Sequence, residues 1–188
     1  MDIVKFFEDF FSTGTPAKIE QPVEQQPATQ PPVTKEPAKP DYYERLKFAE
    51  SSGMAEAKSK TSSATGHHQF LEGTWKELVS KYGKNYKLED RKDPAKSLEI
   101  AKLFTEENKA LLSKALKRDP TDTELYAAHF LGAYGAKKFL MSSPFKKATE
   151  VVNKNQVAKN KAIFFDPKTK KPRTVAQVHE ILKNKIKE

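Results

Sequence analysis

The sequence has no cysteine, so the folded chain cannot contain a disulfide bond. This absence does not locate the protein, because cytosolic and virion proteins both manage without disulfides. The sequence also has no run near the roughly 20 apolar residues that a membrane-spanning helix needs. We therefore expect no transmembrane segment.

Several functional motifs are missing as well. The four histidines form no HExxH motif and no i, i+4 pair with a carboxylate, so we expect neither a metal nor any other cofactor. No nucleophile elbow marks a catalytic serine. The net charge of +9 would suit a nucleic-acid partner. However, there is no zinc-finger spacing, RNP-like aromatic motif or basic-zipper pattern, so we expect no such partner.

Residues 1–12 combine an apolar stripe with acidic side chains, which predicts a short amphipathic helix. Twelve residues cannot bury six large apolar side chains by themselves. The stripe needs a groove on a partner, a face of the chain's own domain or a membrane surface, and the acidic side argues against an anionic lipid surface. We expect a docking helix rather than a signal peptide, because a basic start and a cleavage site are lacking. Its stripe contains Ile3, Val4, Phe6, Phe7, Phe10 and Phe11.

Residues 13–40 are rich in proline, glutamine and threonine and have almost no large apolar side chains. This composition predicts a flexible, extended linker. Residues 41–188 are long enough to form one domain with a hydrophobic core. Within it we distinguish a core region, 41–140, and a basic helical tail, 141–188.

A glutamate lies at the end of the first helix predicted in this domain. Asp41 can cap that helix, and Gly53 supplies a left-handed stop, which places Glu50 in the last turn. The negative end of the helix dipole and partial burial both disfavour the charged carboxylate there. A carboxylic acid that keeps its proton near neutral pH can act as a general acid. The alternative is that Glu50 is an ordinary solvated residue.

The rest of the domain also reads as helical, so we expect an all-α fold. Residues 66–70 form a tight segment before a second helix, which the capping pattern Thr74-x-x-Glu77 predicts to begin at Thr74. Gly66 allows close approach of the backbone to a ligand or to the first helix, and Gln69 offers a donor and an acceptor that suit a sugar. Further helix starts are predicted at Asp93-Pro94, Thr121, Ser143-Pro144 and Thr174.

Four elements of the chain resemble the lytic transglycosylase branch of the lysozyme-like superfamily, which includes the goose-type lysozymes. The resemblance is greatest to the versions carried by bacteriophages. The family pattern is a Glu-Ser pair, a Ser/Ala/Gly turn with Gly-x-x-Gln, and later an alanine-rich helix ending in an aromatic-x-x-Gly. The matching elements are Glu50-Ser51-Ser52-Gly53, Ser62-Ser63-Ala64-Thr65-Gly66-x-x-Gln69-Phe70, Thr74-Trp75 and residues 126–132.

The resemblance implies a lysozyme-like helical fold that cleaves bacterial peptidoglycan with a single catalytic glutamate, Glu50. That residue would protonate the oxygen between N-acetylmuramic acid and N-acetylglucosamine and then deprotonate the muramoyl 6-hydroxyl, giving a 1,6-anhydro product. This scheme differs from the two-carboxylate scheme of most glycosidases. The implied substrate-binding residues are Ser62, Ser63, Gly66, His68, Gln69, Phe70, Tyr126 and His129. His129 lies where many relatives have tyrosine, so the resemblance does not fix which residues line the cleft around Glu50.

The layout of an apolar helix, a linker and a wall-cutting domain predicts an enzyme carried in a phage virion, on the tail or inside the particle. It would act on the cell wall in the host periplasm. One alternative is a hydrolase of the same fold in which a second carboxylate, such as Glu56 or Glu72, activates water. The other alternative is a virion structural protein without activity.

Overall fold

The computed structural model describes residues 40–60 and 62–188, and over these the chain forms nine α-helices and one 3₁₀ turn, Glu89–Lys92. The predicted docking helix 1–12, with Ile3, Phe6, Phe7, Phe10 and Phe11, lies outside the described residues, as does the linker up to residue 39. The helices are α1 Tyr42–Ser51, α2 Glu72–Lys81, α3 Pro94–Leu116, α4 Asp122–Leu131, α5 Ala133–Leu140, α6 Ala148–Val151, α7 Lys154–Lys159, α8 Lys161–Phe164 and α9 Val175–Ile186.

The all-α expectation is confirmed for the part of the chain that the structure describes. Bridges between extended segments are isolated there, such as those that join Thr65 to Lys58 and to Phe70, and no β-strand forms among these residues. At 23 residues, α3 is the longest described helix. Charged side chains interrupt its sequence, and no helix in the described ranges is both long and apolar enough to cross a membrane.

The predicted caps form at four helix starts. The Asp41 carboxylate accepts from the backbone N–H of Glu44 at 2.8 Å, and Asp93 accepts from two N–H groups of the first turn of α3. Thr121 and Thr174 each take part in a full capping box, with Glu124 and Gln177 as the partners. Each cap satisfies backbone N–H groups that have no partner inside the helix.

Two predicted helix starts are wrong. Helix α2 begins at Glu72 instead of Thr74, because the Ser63 hydroxyl accepts from the Glu72 N–H at 3.1 Å and supplies a cap from outside the helix. Ser143-Pro144 opens only a turn, and α6 begins at Ala148. Phe145, which we expected on a helix, is 86% exposed.

Among the described residues the core consists of two clusters, and each anchors a different part of the chain near Glu50. In the larger cluster, α4 packs against α3, α5 and α9, and the fully buried Leu46 attaches α1 to it. In the smaller cluster, Phe70 and Trp75 pack against α3. Burying one such large apolar side chain contributes about 1.5–3 kcal/mol. These clusters therefore hold α1 and the 66–70 segment in defined positions.

Candidate functional site

Glu50 lies in the last turn of α1, half-buried, as the sequence predicts. Ser52 and Gly53 both have left-handed backbone conformations, and the Ser52 N–H donates to the Phe48 carbonyl, which ends the helix. The Ser51 hydroxyl donates to the Lys47 carbonyl at 2.9 Å. The helix end that carries Glu50 is thus fixed by its own hydrogen bonds.

Glu50 opens onto a cleft of about 460 Å³. This volume is within the range of small-molecule sites, about 300–1,000 Å³. One wall comes from α1, the loop after it and the start of α2, and the other comes from the end of α4 and from α7. The described residues that line the cleft are Glu50, Ser59, Ser62, Ala64, Gln69, Leu71, His129, Phe130, Asn155, Gln156, Lys159 and Asn160.

The buried Tyr126 and the partly buried Tyr42 lie near Glu50. Burial, the charge of Glu50 and a hydrogen bond with its carboxylate all raise the pKa of Tyr126 above its usual range. The pKa of Tyr42 is also raised, first by burial, then by Asp122 and more weakly by Glu50. Tyr126 therefore stays protonated and can donate a hydrogen bond to Glu50.

Gln69 lies in the cleft because its backbone adopts a left-handed turn, with φ at 48°. Its side-chain N–H₂ group donates to the carbonyls of Ala57 at 3.1 Å and Gly66 at 2.8 Å. Both amide hydrogens are used in these bonds. Gln69 can therefore offer a ligand its carbonyl oxygen, which is an acceptor.

Gly66 is buried against the polypeptide backbone and does not line the cleft. Its φ is +85°, and a Cβ at this position would lie 1.9 Å from the Arg91 carbonyl oxygen. The Arg91 guanidinium donates to the Ser63 carbonyl at 2.6 Å and to the Phe70 carbonyl at 3.0 Å. The close approach that the sequence predicts at Gly66 is therefore made with the 3₁₀ turn.

His68 and Phe70 also lie outside the lining of the cleft. Burial, followed by the charge of His129, lowers the pKa of His68 to about 3. The ring is therefore neutral at pH 7, and its Nδ1 lies 2.9 Å from the Ser97 hydroxyl. The Phe70 ring packs against Trp75 at a centroid distance of 5.7 Å. Both side chains support the cleft from beneath.

His129 lines the cleft, and its ring is fixed by the backbone below it. The Nε2 atom lies 3.1 Å from the His68 carbonyl oxygen, which can only accept, so Nε2 carries the proton. The ring also makes edge contacts with Phe70 and Phe104. His129 is therefore held by the same segment that carries Gln69.

The two candidate serines differ in position. Ser62 lines the cleft, and its hydroxyl accepts from the Ala64 N–H at 3.3 Å. Ser63 is exposed, caps α2 and does not line the cleft. Of the substrate-binding residues predicted from the sequence, the structure brings Ser62, Gln69 and His129 into one cleft with Glu50.

The two carboxylates considered as partners for Glu50 lie elsewhere. Glu56 pairs with Lys92, and Glu72 pairs with Lys76 at 2.5 Å. Neither lines the cleft. Among the described residues of the lining, Glu50 is the one carboxylate. The described ranges also contain no cluster of three or more acidic or histidine side chains that could hold a metal ion.

Sequence reasoning missed the wall formed by α7. The Gln156 side chain donates to the Phe130 carbonyl at 3.2 Å, and the Asn160 side chain donates to the Gln156 carbonyl at 2.9 Å. Asn155 and Lys159 complete this wall. The available signal was the run of amide and lysine side chains at 153–161, where only short apolar stretches occur.

The sequence matches no protein-family model.

Proposed function

We propose that residues 41–188 form a peptidoglycan-cleaving lytic transglycosylase with a lysozyme-like fold and Glu50 as its single acid and base. One observation carries this proposal. Glu50 lines a cleft whose other described residues supply hydroxyls, amides and one lysine but no second carboxylate. Such a lining suits a sugar strand with acetamido and hydroxyl groups. The resemblance of the Glu50-Ser51 and Gly66-x-x-Gln69 elements to the transglycosylase pattern supports the same assignment.

The reaction requires one group that first gives and then takes a proton. Glu50 gives its proton to the oxygen between N-acetylmuramic acid and N-acetylglucosamine, and the bond from that oxygen to C1 of the muramoyl residue breaks. The Glu50 carboxylate then takes the proton of the muramoyl 6-hydroxyl. The 6-oxygen bonds to C1 and closes the 1,6-anhydro ring, so no water is consumed and Glu50 ends protonated.

The residues around Glu50 have separate roles in this proposal. Tyr126 donates a hydrogen bond to the carboxylate and orients it, while Gln69 accepts a hydrogen bond from the sugar. Ser62 and His129 line the cleft on either side of Glu50. Four residues that the sequence resemblance assigns to substrate binding instead hold this lining in place. They are Ser63, Gly66, His68 and Phe70.

Replacement of Glu50 by glutamine tests the proposal. Glu50→Gln keeps the size and the amide can still accept from Tyr126, but it cannot cycle a proton, so we expect muralytic activity to fall at least about 1,000-fold. The melting temperature should change little. Glu56→Gln is the matched control, because it removes the same charge from a carboxylate outside the cleft.

Glu56→Gln, together with Glu72→Gln, also separates the alternatives. A hydrolase that uses Glu56 or Glu72 as base would lose activity when that residue becomes glutamine. A virion structural protein without activity would give no clearing of purified sacculi, even as the unaltered chain. Full activity of the folded Glu50→Gln variant would refute the proposal.

The proposed setting is a phage particle in which the apolar segment 1–12 attaches the enzyme to a virion protein. The apolar stripe of that segment and the proline-rich composition of 13–40 support it. Deleting residues 1–12 should leave activity on purified sacculi unchanged and stop incorporation into particles. Normal incorporation of the shortened chain would contradict the docking role.

A further inference from the structure

The lining of the cleft includes a basic side chain, Lys159, that has no role in the proposed reaction. Among its described lining residues, Glu50 carries a negative charge when ionised and Lys159 carries a positive one. Glu50 belongs to α1 and Lys159 to α7, and within the described residues the two make no ion pair with each other. The remaining polar residues of the lining are neutral amides and hydroxyls and the His129 ring.

Lys159 projects from a wall that is already fixed. It is the last residue of α7, and its neighbours Gln156 and Asn160 are tied to each other and to the Phe130 carbonyl by hydrogen bonds. These bonds leave the amides little freedom to move. The lysine side chain itself is exposed, so it can reach a group bound in the cleft.

Eight lysines in the described part of the chain form an ion pair with a carboxylate, and the majority, Lys159 among them, form none. Lys76, Lys84 and Lys96, for example, pair with Glu72, Glu99 and Asp90. Within the described residues, no acidic side chain pairs with Lys159. Its charge is therefore available to an anionic group that comes from outside the chain.

The surrounding segment adds to this attraction. Residues 153–173 contain seven lysines and arginines against one acidic residue, Asp166. Charges of one sign around a cleft raise the local concentration of a ligand of the opposite sign. An anionic polymer is therefore favoured on this side of the cleft, whereas a neutral sugar strand gains nothing from it.

We propose that Lys159 binds a carboxylate carried by the glycan strand next to the bond that is cut. This inference rests on the proposed function and names the substrate feature that the α7 wall selects. Two carboxylates fit the chemistry: one on the peptide attached to the muramoyl lactyl group, and the free lactyl carboxylate that remains when the peptide is removed. A strand of N-acetylglucosamine alone has neither.

Binding to a non-cleaving chain tests Lys159 directly. In full-length protein carrying Glu50→Gln, affinity is measured by calorimetry for three probes. These are a peptide-bearing glycan tetrasaccharide, the same tetrasaccharide after amidase treatment, and chitotetraose. Lys159→Gln should weaken binding of at least one carboxylate-bearing probe about fivefold at low salt, the upper range for an exposed ion pair, and leave chitotetraose unchanged.

Two variants and the salt dependence exclude a merely structural effect. Lys154→Gln removes the same charge from the first residue of α7, which does not line the cleft. It should weaken binding of the carboxylate-bearing probes by less than about twofold, through the general attraction of the basic segment, and leave chitotetraose unchanged. Lys159→Arg should keep most of the affinity. The difference caused by Lys159→Gln should shrink between roughly 0.05 M and 0.5 M salt, because ions screen an exposed charge pair.

The outcomes distinguish the peptide carboxylate from the lactyl carboxylate, and the role of Lys159 from the proposed function. A loss on the peptide-bearing strand alone identifies the peptide carboxylate, and a loss on the amidase-treated strand identifies the lactyl carboxylate. An equal loss on chitotetraose, or no loss on either carboxylate-bearing probe, overturns the role of Lys159. If that happens while Glu50→Gln still abolishes cleavage, the proposed function stands. If no probe binds the chain that retains Lys159 and the unaltered protein does not cleave sacculi, both proposals are overturned.

Discussion

Replacing Gly66 by alanine should destabilise the protein because two separate costs fall on one methyl group. A left-handed backbone costs an L-residue about 1–2 kcal/mol. The new Cβ would lie 1.9 Å from the Arg91 carbonyl oxygen, so the backbone of the 3₁₀ turn must move. Overpacking of this kind costs about 1–3 kcal/mol or more. We therefore expect the free energy of unfolding to fall by about 3 kcal/mol.

The effect should extend to the cleft. Arg91 holds the carbonyls of Ser63 and Phe70, and a shift of its backbone loosens the segment that carries Gln69. Urea denaturation of the full-length chain, followed by circular dichroism at 25 °C, gives the free energy of unfolding. Activity on sacculi should fall in the same variant even where it is fully folded.

Gly73→Ala is a control in which the free energy of unfolding should stay the same or rise. Gly73 lies within α2, has no positive φ, and its added Cβ meets no atom within 4 Å. Alanine favours helix over glycine by up to about 1 kcal/mol, so this variant should be unchanged or more stable. A Gly66→Ala protein within about 0.5 kcal/mol of the unaltered chain would refute the reasoning.

Two further predictions concern buried groups near the cleft. Burial lowers the pKa of His68 in the folded protein from its usual 6.5 to about 3. Between these two pH values the unfolded chain binds a proton at His68 and the folded chain does not. The free energy of unfolding is therefore highest above about pH 6.5 and falls as pH falls towards 3. At about pH 4.5 this loss of stability amounts to roughly 2–3 kcal/mol. In urea titrations at pH 7.5 and 4.5, His68→Asn should lose much less stability than the unaltered protein. Equal losses in the variant and the unaltered protein would show that His68 does not cause the pH dependence. Tyr126→Phe removes a hydrogen bond to a charged group, worth about 1.5–3 kcal/mol, so kcat on sacculi should fall about tenfold or more with little change in KM. A turnover equal to that of the unaltered chain would show that Tyr126 does not position Glu50.

Local chemistry explains why four of the nine described helix starts could be predicted. The caps at Asp41, Asp93, Thr121 and Thr174 depend on residues within one turn, and each forms as expected. The start of α2 could not be predicted in this way, because its cap is the hydroxyl of Ser63, nine residues before the first helical residue.

The buried face of α3 shows a second limit. Apolar spacing predicts an inner side made of Leu98, Ala101, Phe104, Leu111, Leu112 and Ala115. The structure buries Ala101 and Leu112, leaves the other four partly exposed, and also buries three polar residues. A search for apolar periodicity cannot detect polar residues that pack in a core, and it shifts the predicted face around the helix. The buried polar residues of α3 are Ser97, Thr105 and Asn108.

The candidate site also combines residues that the sequence could predict with residues that only packing brings to the cleft. Glu50, Ser62 and Gln69 belong to one continuous stretch whose motifs place them near each other. The α7 wall, with Gln156 and Lys159, reaches the cleft only through the packing of α4 and the tail, and no spacing in the sequence encodes that approach. His68 and Phe70 share the motif but face the core, because neighbouring residues of a tight turn point in different directions.

The most direct test of the central claim is the structure of the products that the full-length protein releases from purified peptidoglycan in heavy-oxygen water. Mass spectrometry should find muramoyl ends that are one water lighter than hydrolysis products and carry no heavy oxygen, and Glu50→Gln should release none. Reducing ends labelled with heavy oxygen, or the same anhydro products from Glu50→Gln, would contradict a single Glu50 acid and base.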